Sequence, residues 1–177
     1  MKNKKDNWIL VVFILTFVLS IIFSFVSNSI AVSFNNIILS IILLLTISIG
    51  VLFDLIGTAS ITANESSFHA INSKRIKGAK ECIFIVKNSN KISSFCNDIV
   101  GDICGIISGS IGAILAISIS TTFLLNGTLI SVIIAAIISS LTVGGKAIFK
   151  KVAIKNADKI VLKVGKLLSI FSKKNAK

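Results

Sequence analysis

Four long apolar stretches, separated by short polar segments, make up most of this chain of 177 residues. Each stretch has about 20 residues, the length that an α-helix needs to cross ~30 Å of hydrocarbon, and none contains proline. The pattern predicts an all-α, polytopic membrane protein with four transmembrane helices. The predicted spans run from about Trp8 to Val26, Ile37 to Gly57, Ile103 to Phe123 and Leu129 to Phe149.

The polar segment between the second and third spans is typical of two short helices separated by breaks. It reads SSFHAINSKRI, then Gly78, then AKECIFIVK, then NSN. Ser89 or Asn90 is expected to cap the next helix, from about Lys91 to Phe123, because their side chains accept hydrogen bonds from first-turn amides. Apolar residues at helical spacing predict one apolar and one basic face for the helix pair; they are Ile76, Ala79, Ile83 and Val86.

An amphipathic juxtamembrane helix is predicted after the fourth span, because lysines repeat every three or four residues with apolar residues on the opposite side. Such a helix lies in the membrane interface with its lysines near anionic head groups, or it packs against the middle segment with its lysines in water. The lysines are Lys151, Lys155, Lys159, Lys163 and Lys166, and the apolar residues are Ile148, Val152, Ile160, Val164, Leu167, Leu168 and Phe171.

Lysine and arginine are confined to three segments: before span one, between spans two and three, and from the end of span four onward. The connections SNSIAVSFNN and LNGT carry no charge. Because cytoplasmic flanks of spans are enriched in Lys and Arg, we expect a multi-pass protein of the cell membrane with both termini and the middle helix pair in the cytoplasm. With 54% hydrophobic residues, the net charge of +12 indicates attraction to anionic lipid head groups and no nucleic-acid partner.

Residues for enzyme or zinc chemistry are not arranged in a recognisable pattern. Cys82, Cys96 and Cys104 lack the spacing of metal ligands, and His69 has no second His or Cys at ligand spacing. No Gly-rich phosphate loop or set of nucleophile and base is visible. We therefore expect no enzyme activity. The first apolar stretch has one alternative interpretation, as a signal peptide, because a Lys-rich start followed by an apolar run fits one.

Acidic residues lie close to the predicted spans. Asp98 and Asp102 are one helical turn apart, and Asp54 lies within span two. An acid inside a bilayer costs about 2.5 to 3.5 kcal/mol on insertion scales, so these three either sit hydrated at the interface or have partners. Small residues at near four-residue spacing accompany them and predict close helix packing; they are Gly101, Gly105, Ser108, Gly109 and Gly112.

The order of these motifs resembles the transmembrane domain of the CorB/CorC and cyclin M family of magnesium transport proteins. The family's Ser-Gly-Ser-Glu motif and its paired helices are similar to TANESSFHAINSKRI. Its Gly-Asn-Asn motif corresponds in position to GDICGI. Its Gly-Glu-x-x-Pro-Lys turn and the juxtamembrane helix that follows resemble GKAIFKKVAIKNADKIVLKV. The resemblance divides the chain into an additional span and outer loop (1–36), the family-like domain (37–171) and a basic tail (172–177). The family's regulatory nucleotide-binding domains are absent from this sequence.

The resemblance implies a homodimer that transports or exports a divalent cation, magnesium or cobalt, through a cytoplasm-facing cavity. It places Thr62, Glu65, Asp98 and Asp102 around the ion, which suits the oxygen ligands that Mg²⁺ prefers. Lys146 stands where the family has Glu, and Phe149 stands where the family has Pro. Lys146 is therefore expected to neutralise Asp102 as a tethered cation. The alternatives are a non-transporting membrane partner protein and a holin-like permeabiliser.

Overall fold

The computed structural model describes residues 13–14, 17–18, 20–26, 29 and 35–174, with side chains up to residue 170. Every element in these ranges is helical, and they contain no strand. The helices are α1 (Asn36–Thr62), α2 (Glu65–Ser73), α3 (Ala79–Lys87), α4 (Ser89–Phe123), α5 (Gly127–Lys155) and α6 (Ala157–Lys174). Eight of the 19 residues of the predicted first span lie outside the described residues, and so do residues 175–177 of the basic tail.

Three of these helices, α1, α4 and α5, are long and apolar enough to cross a membrane. They contain the second, third and fourth predicted spans, and the chain is a multi-pass membrane protein by this criterion. Their surfaces carry many large exposed apolar side chains, such as Leu45 and Val132, as expected of helices that contact lipid. At 27, 35 and 29 residues they are longer than the ~20 residues a bilayer requires.

The segment between α1 and α4 forms the predicted pair of short helices. Asn64 caps α2, because its side chain accepts a hydrogen bond of 3.1 Å from the backbone N–H of Ser66. The chain leaves α2 through Arg75, whose φ is 55°, and enters α3 through Gly78, whose φ is 87°. The predicted helix AKECIFIVK coincides with α3 residue for residue.

The predicted cap of α4 is wrong. Ser89 and Asn90 lie in the first turn of α4, and Asn88 occupies the cap position without a side-chain cap bond. The Asn88 side chain instead donates to the carbonyl oxygen of Phe84, at 2.9 Å. Because α3 and α4 are separated by this single residue, no extended residue remains to hold a capping side chain over the first turn.

The predicted apolar face of α3 is correct in type but rotated. Ala79 of the predicted face is buried, as are Cys82 and Ile85, which the predicted face does not include. Ile83 and Val86 are only partly buried against the same core. Ile76 is 42% exposed because it precedes α3, in the turn that follows Arg75, and so does not share the helical phase.

The described chain divides into two compact units. Unit 1 comprises the described residues of Met1–Ile49 and Asp102–Thr142, and unit 2 comprises Gly50–Gly101 and those of Val143–Lys177. In unit 1, Ser118 donates to the side-chain oxygen of Asn36, at 2.8 Å, and Gly112 lies against Ile138. The predicted glycine packing holds at Gly112; a side chain at Gly105 or Gly109 would meet no described atom within 4 Å.

The core of unit 2 is where the span ends meet the short helices. Phe68 of α2 is its largest fully buried side chain, and α6 joins it through Ala157 and Val161, with Ile160 and Val164 partly buried beside them. The first half of α6 therefore packs on the protein, while Leu167 remains exposed to 59%. The remaining core residues are Ala59, Ala63, Cys82, Ile85 and Ala153.

Candidate functional site

An ion pair joins two membrane-spanning helices in unit 2. The Nζ atom of Lys146, on α5, lies 4.0 Å from Oδ1 of Asp54, on α1, and the two side chains are only 34% and 15% exposed. Asp54 is eight residues before the end of α1, or about 12 Å along the helix axis. Each of two opposite charges in a partly buried pair lowers the free-energy cost of taking the other out of water. Either charge without its partner would remain uncompensated.

Asn97 supplies a second polar group within the same unit. Its Nδ2 donates to Oγ of Ser93 at 3.2 Å, whereas its Oδ1 is buried and has no hydrogen-bond partner among the described residues. A Cβ atom added to Gly57 would collide with that oxygen and lie 3.2 Å from Cβ of Cys96. Glycine at position 57 therefore lets α4 approach α1 closely, so that the side-chain oxygen of Asn97 lies against the surface of α1.

The stretch that carries Asn97 is π-helical, from Phe95 to Val100. π-helical turns are rare, hold more residues per turn than an α-helix, and occur frequently at functional sites. The wider turn interrupts the regular α-helical ladder within α4. It coincides with the one buried side-chain oxygen or nitrogen in the described part of the chain that lacks a partner.

Small residues bring the three spanning helices together around these groups. A Cβ atom on Gly101 would lie 3.6 Å from Nζ of Lys146, and one on Gly145 would lie 3.1 Å from a methyl group of Val51. Asp54 and Gly57 share one face of α1 because they are three residues apart. We call Asp54, Gly57, Asn97, Gly101 and Lys146 the polar centre.

The set of residues predicted to hold a cation stays a prediction, because Thr62, Glu65 and Asp98 belong to unit 2 and Asp102 belongs to unit 1. Thr62 is exposed, and its hydroxyl donates to the carbonyl oxygen of Thr58 at 2.7 Å. Glu65 lies 3.2 Å from His69 and 3.8 Å from Lys87. No group of three or more His, Cys, Asp or Glu that could hold a metal ion occurs within the described ranges.

Asp98 and Asp102 are both exposed. Asp102 belongs to unit 1 and Lys146 to unit 2, so the predicted pairing of these two stays a prediction, and the observed partner of Lys146 is Asp54. Sequence reasoning singled out Asp54 as an acid in need of a partner but missed Asn97 and Gly57. The signal available in the sequence was the presence of a polar side chain at Asn97 and of a lone glycine at Gly57, each next to apolar residues of a predicted helix.

A glutamate network lies outside the polar centre, on the short helices. Glu65 of α2 joins His69, one turn along the same helix, and Lys87 at the end of α3. The side chains are 43%, 55% and 58% exposed, so solvent screens the pairs and their contribution to stability is small. This network ties α2 to α3 and gives Glu65 an imidazole and an ammonium group as neighbours.

No family model, no curated protein and no solved structure matches the chain.

Proposed function

We propose that the chain transports or exports a divalent cation, magnesium or cobalt, across the cell membrane, and that the polar centre lies on the path of the ion. The observation that supports this proposal most directly is the buried, unpartnered Oδ1 of Asn97 in a unit that also holds the Asp54 carboxylate. Ionisable groups within spans are costly and mark ion pathways, and carboxylate and amide oxygens are ligands that hard divalent cations accept.

Lys146 has a specific part in this proposal. Its ammonium group lies beside the carboxylate of Asp54, so an arriving divalent cation competes with a cation that is tethered to the protein. The ion pair holds the empty path closed and neutral, and entry of an ion requires Lys146 to move away. Thr62, Glu65 and Asp98 belong to the proposed cytoplasmic approach to the centre, with both termini on the same side, and Asp102 stays a predicted ligand of the ion.

Ion flux into proteoliposomes that contain the purified chain tests the proposal. We expect magnesium or cobalt uptake, reported by a trapped metal-sensitive dye, to exceed that of empty liposomes and to be lost in Asp54→Asn. Glu81→Gln, which neutralises an acid on α3, is the matched control and should transport at the rate of the unaltered chain. Equal flux in all three proteins would exclude the polar centre from the path.

A non-transporting membrane partner protein is the second candidate function. The observation that favours it is the same ion pair, because Lys146 already neutralises the carboxylate that a transported ion would use. Absence of flux from folded protein would support this candidate. Release of a large trapped dye such as carboxyfluorescein, with no ion selectivity, would instead support a holin-like permeabiliser.

A further inference from the structure

An open cleft of about 880 Å³ lies between the turn that connects α2 to α3 and the last turns of α6. It is separate from the polar centre and plays no part in the proposed transport path. All of its lining residues belong to unit 2. The side chains that matter for its chemistry are Arg75, Lys77, Lys80, Glu81, Ser169 and Ile170.

The walls of the cleft are held together by close backbone contact. A Cβ atom on Gly78 would lie 2.7 Å from the backbone nitrogen of Lys166, and one on Gly165 would lie 2.8 Å from the carbonyl oxygen of Gly78. The thiol of Cys82 donates to the carbonyl oxygen of Val161, at 3.4 Å. The basic turn is therefore fixed against α6, and the cleft is preformed.

The cleft has an excess of positive charge. Arg75, Lys77 and Lys80 are exposed cations, and Glu81 is the one acid among the lining residues. The charged or polar contacts of Glu65 and Asp54 use other basic residues, namely His69, Lys87 and Lys146. Arg75 also adopts a left-handed backbone, with φ of 55°, a strained conformation for a non-glycine residue that is enriched at ligand sites.

Apolar side chains flank the cationic part of the cleft. Ile76 and Ile170 line it and are 42% and 67% exposed, and Leu167, one turn before Ile170 on α6, is 59% exposed. Unit 2 also contains the end of α1, the beginning of α4 and the end of α5, so the cleft belongs to the same compact unit as one end of each helix that is long and apolar enough to cross a membrane. An anionic group with an apolar extension matches this combination better than a free anion.

We propose that the cleft binds the phosphate head group of one anionic phospholipid. Arg75, Lys77 and Lys80 contact the phosphate, and Ile76 and Ile170 contact the glycerol and first methylenes. The guanidinium of Arg75 can engage two phosphate oxygens at once. The apolar flank selects a lipid rather than inorganic phosphate.

Native mass spectrometry of the full chain in a neutral detergent tests this site. Titration with dioleoyl-phosphatidylglycerol should show one lipid retained per chain, and dioleoyl-phosphatidylcholine should bind at least tenfold more weakly. The double variant Arg75→Asn with Lys80→Gln should bind phosphatidylglycerol about 25-fold more weakly, because each cation near an anionic head group contributes about fivefold in affinity. Asn is chosen at position 75 because it tolerates a left-handed backbone.

Exposed lysines outside the cleft provide the matched control. Lys91→Gln with Lys151→Gln removes the same charge and should weaken binding less than threefold. An equal loss in both doubles would overturn the proposal in favour of unspecific surface attraction. Displacement of the lipid by millimolar inorganic phosphate would overturn it in favour of a free anion, and equal binding of phosphatidylcholine would also contradict it. If the double variant does not fold, Lys77→Gln alone decides, with a loss of about fivefold expected.

Discussion

Asp54 and Lys146 illustrate how the surroundings decide the energetics of a charged residue. At 15% and 34% exposure the two groups are largely removed from water, yet the 4.0 Å separation is at the limit of an ion pair. Replacing such a pair with neutral groups costs little, whereas removing one partner leaves an uncompensated charge. The pair therefore makes each residue intolerant of change on its own without making a large net contribution to stability.

Coupling between these two residues can be measured directly. We expect Asp54→Asn and Lys146→Met to lower the free energy of unfolding by about 1 to 3 kcal/mol each, discounted for partial exposure. The double variant should recover part of that loss, as measured by thermal unfolding in detergent. Asp102→Asn combined with Lys146→Met is the comparison. Two results together would assign the functional partner of Lys146 to Asp102. The losses of unfolding free energy would be strictly additive in the Asp54–Lys146 double variant, and part of the loss would be recovered in the Asp102–Lys146 double variant.

Cys82 gives unit 2 a dependence on alkaline pH. Burial, and then the neighbouring charge of Glu81, raise the pKa of its thiol from 9.0 to about 11, so the folded protein retains the thiol proton more tightly than the unfolded chain. The associated stability is fully present below pH 9 and is lost as the pH rises through 11.

For Cys82 we predict that the unaltered chain and Cys82→Ala differ in how steeply the free energy of unfolding falls with pH. The free energy of unfolding should fall by about 2 to 3 kcal/mol between pH 9 and pH 11 because of this thiol. Cys82→Ala should be less stable at neutral pH, because it leaves a small cavity, but should show a shallower decline over the same interval. Parallel pH profiles for the two proteins would contradict a buried thiol of raised pKa.

The helices of unit 2 pack through backbone contact where α3 crosses α6. Gly165 allows this approach, because a Cβ atom there would collide with the thiol of Cys82 and lie 3.2 Å from its backbone nitrogen. Most of that obstruction is backbone, which cannot rotate away. Gly109, on α4, is a glycine of the opposite kind, with no described atom within 4 Å of an added Cβ.

Alanine at these two glycines should have opposite effects. Gly165→Ala should lower the free energy of unfolding by about 1 to 3 kcal/mol, since the added methyl group overpacks the α3–α6 contact. Gly109→Ala should be neutral or stabilise by up to about 1 kcal/mol, because alanine favours a helix more than glycine does. Thermal unfolding of both variants in the same detergent is the measurement. Equal destabilisation would mean that Gly109 is packed in the protein as it exists in the membrane.

The sequence predicted the helices better than their contacts. The three described spans and α3 follow from apolar length and from breaks at Gly78 and Asn88, which are local properties of the chain. The π-helical turn at Phe95–Val100 has no comparable local signature, since it depends on how α4 fits α1 at Gly57. Helical periodicity assigned Asp54 and Lys146 to polar positions but carried no information on their register across two helices, so their pairing could not be derived.

The distribution of lysine and arginine along the chain predicts its orientation in the membrane. All lysines and arginines of the segment between α1 and α4 lie near one end of the spans, whereas the connection between α4 and α5 has none. Leu124, in that connection, is 92% exposed, and Ser73, at the end of α2, is exposed on the short helices. The positive-inside rule assigns Leu124 to the outside and Ser73 to the cytoplasm.

Cysteine labelling in intact cells tests this assignment. A membrane-impermeant maleimide should modify Leu124→Cys from outside and should leave Ser73→Cys unmodified until the membrane is permeabilised. The native Cys82, Cys96 and Cys104 are all buried, so the unaltered chain is the background control and should label weakly. Labelling of Ser73→Cys in intact cells would reverse the orientation and place the basic cleft on the outer surface.

The π-helical turn in α4 also has a consequence for homologues of different length at this site. A π turn holds about one residue more than an α turn, so deleting one residue from Phe95–Val100 would let α4 continue as a regular α-helix. Positions after the deletion would keep their orientation relative to those before it, because the wide turn takes up its extra residue within nearly the same total rotation. The side that carries the buried Ser108, Ile111 and Leu115 would therefore remain the buried side. A homologue that is one residue shorter here should show apolar residues at uninterrupted α-helical spacing across this site, and that spacing would reveal from an alignment alone that the wide turn had been lost.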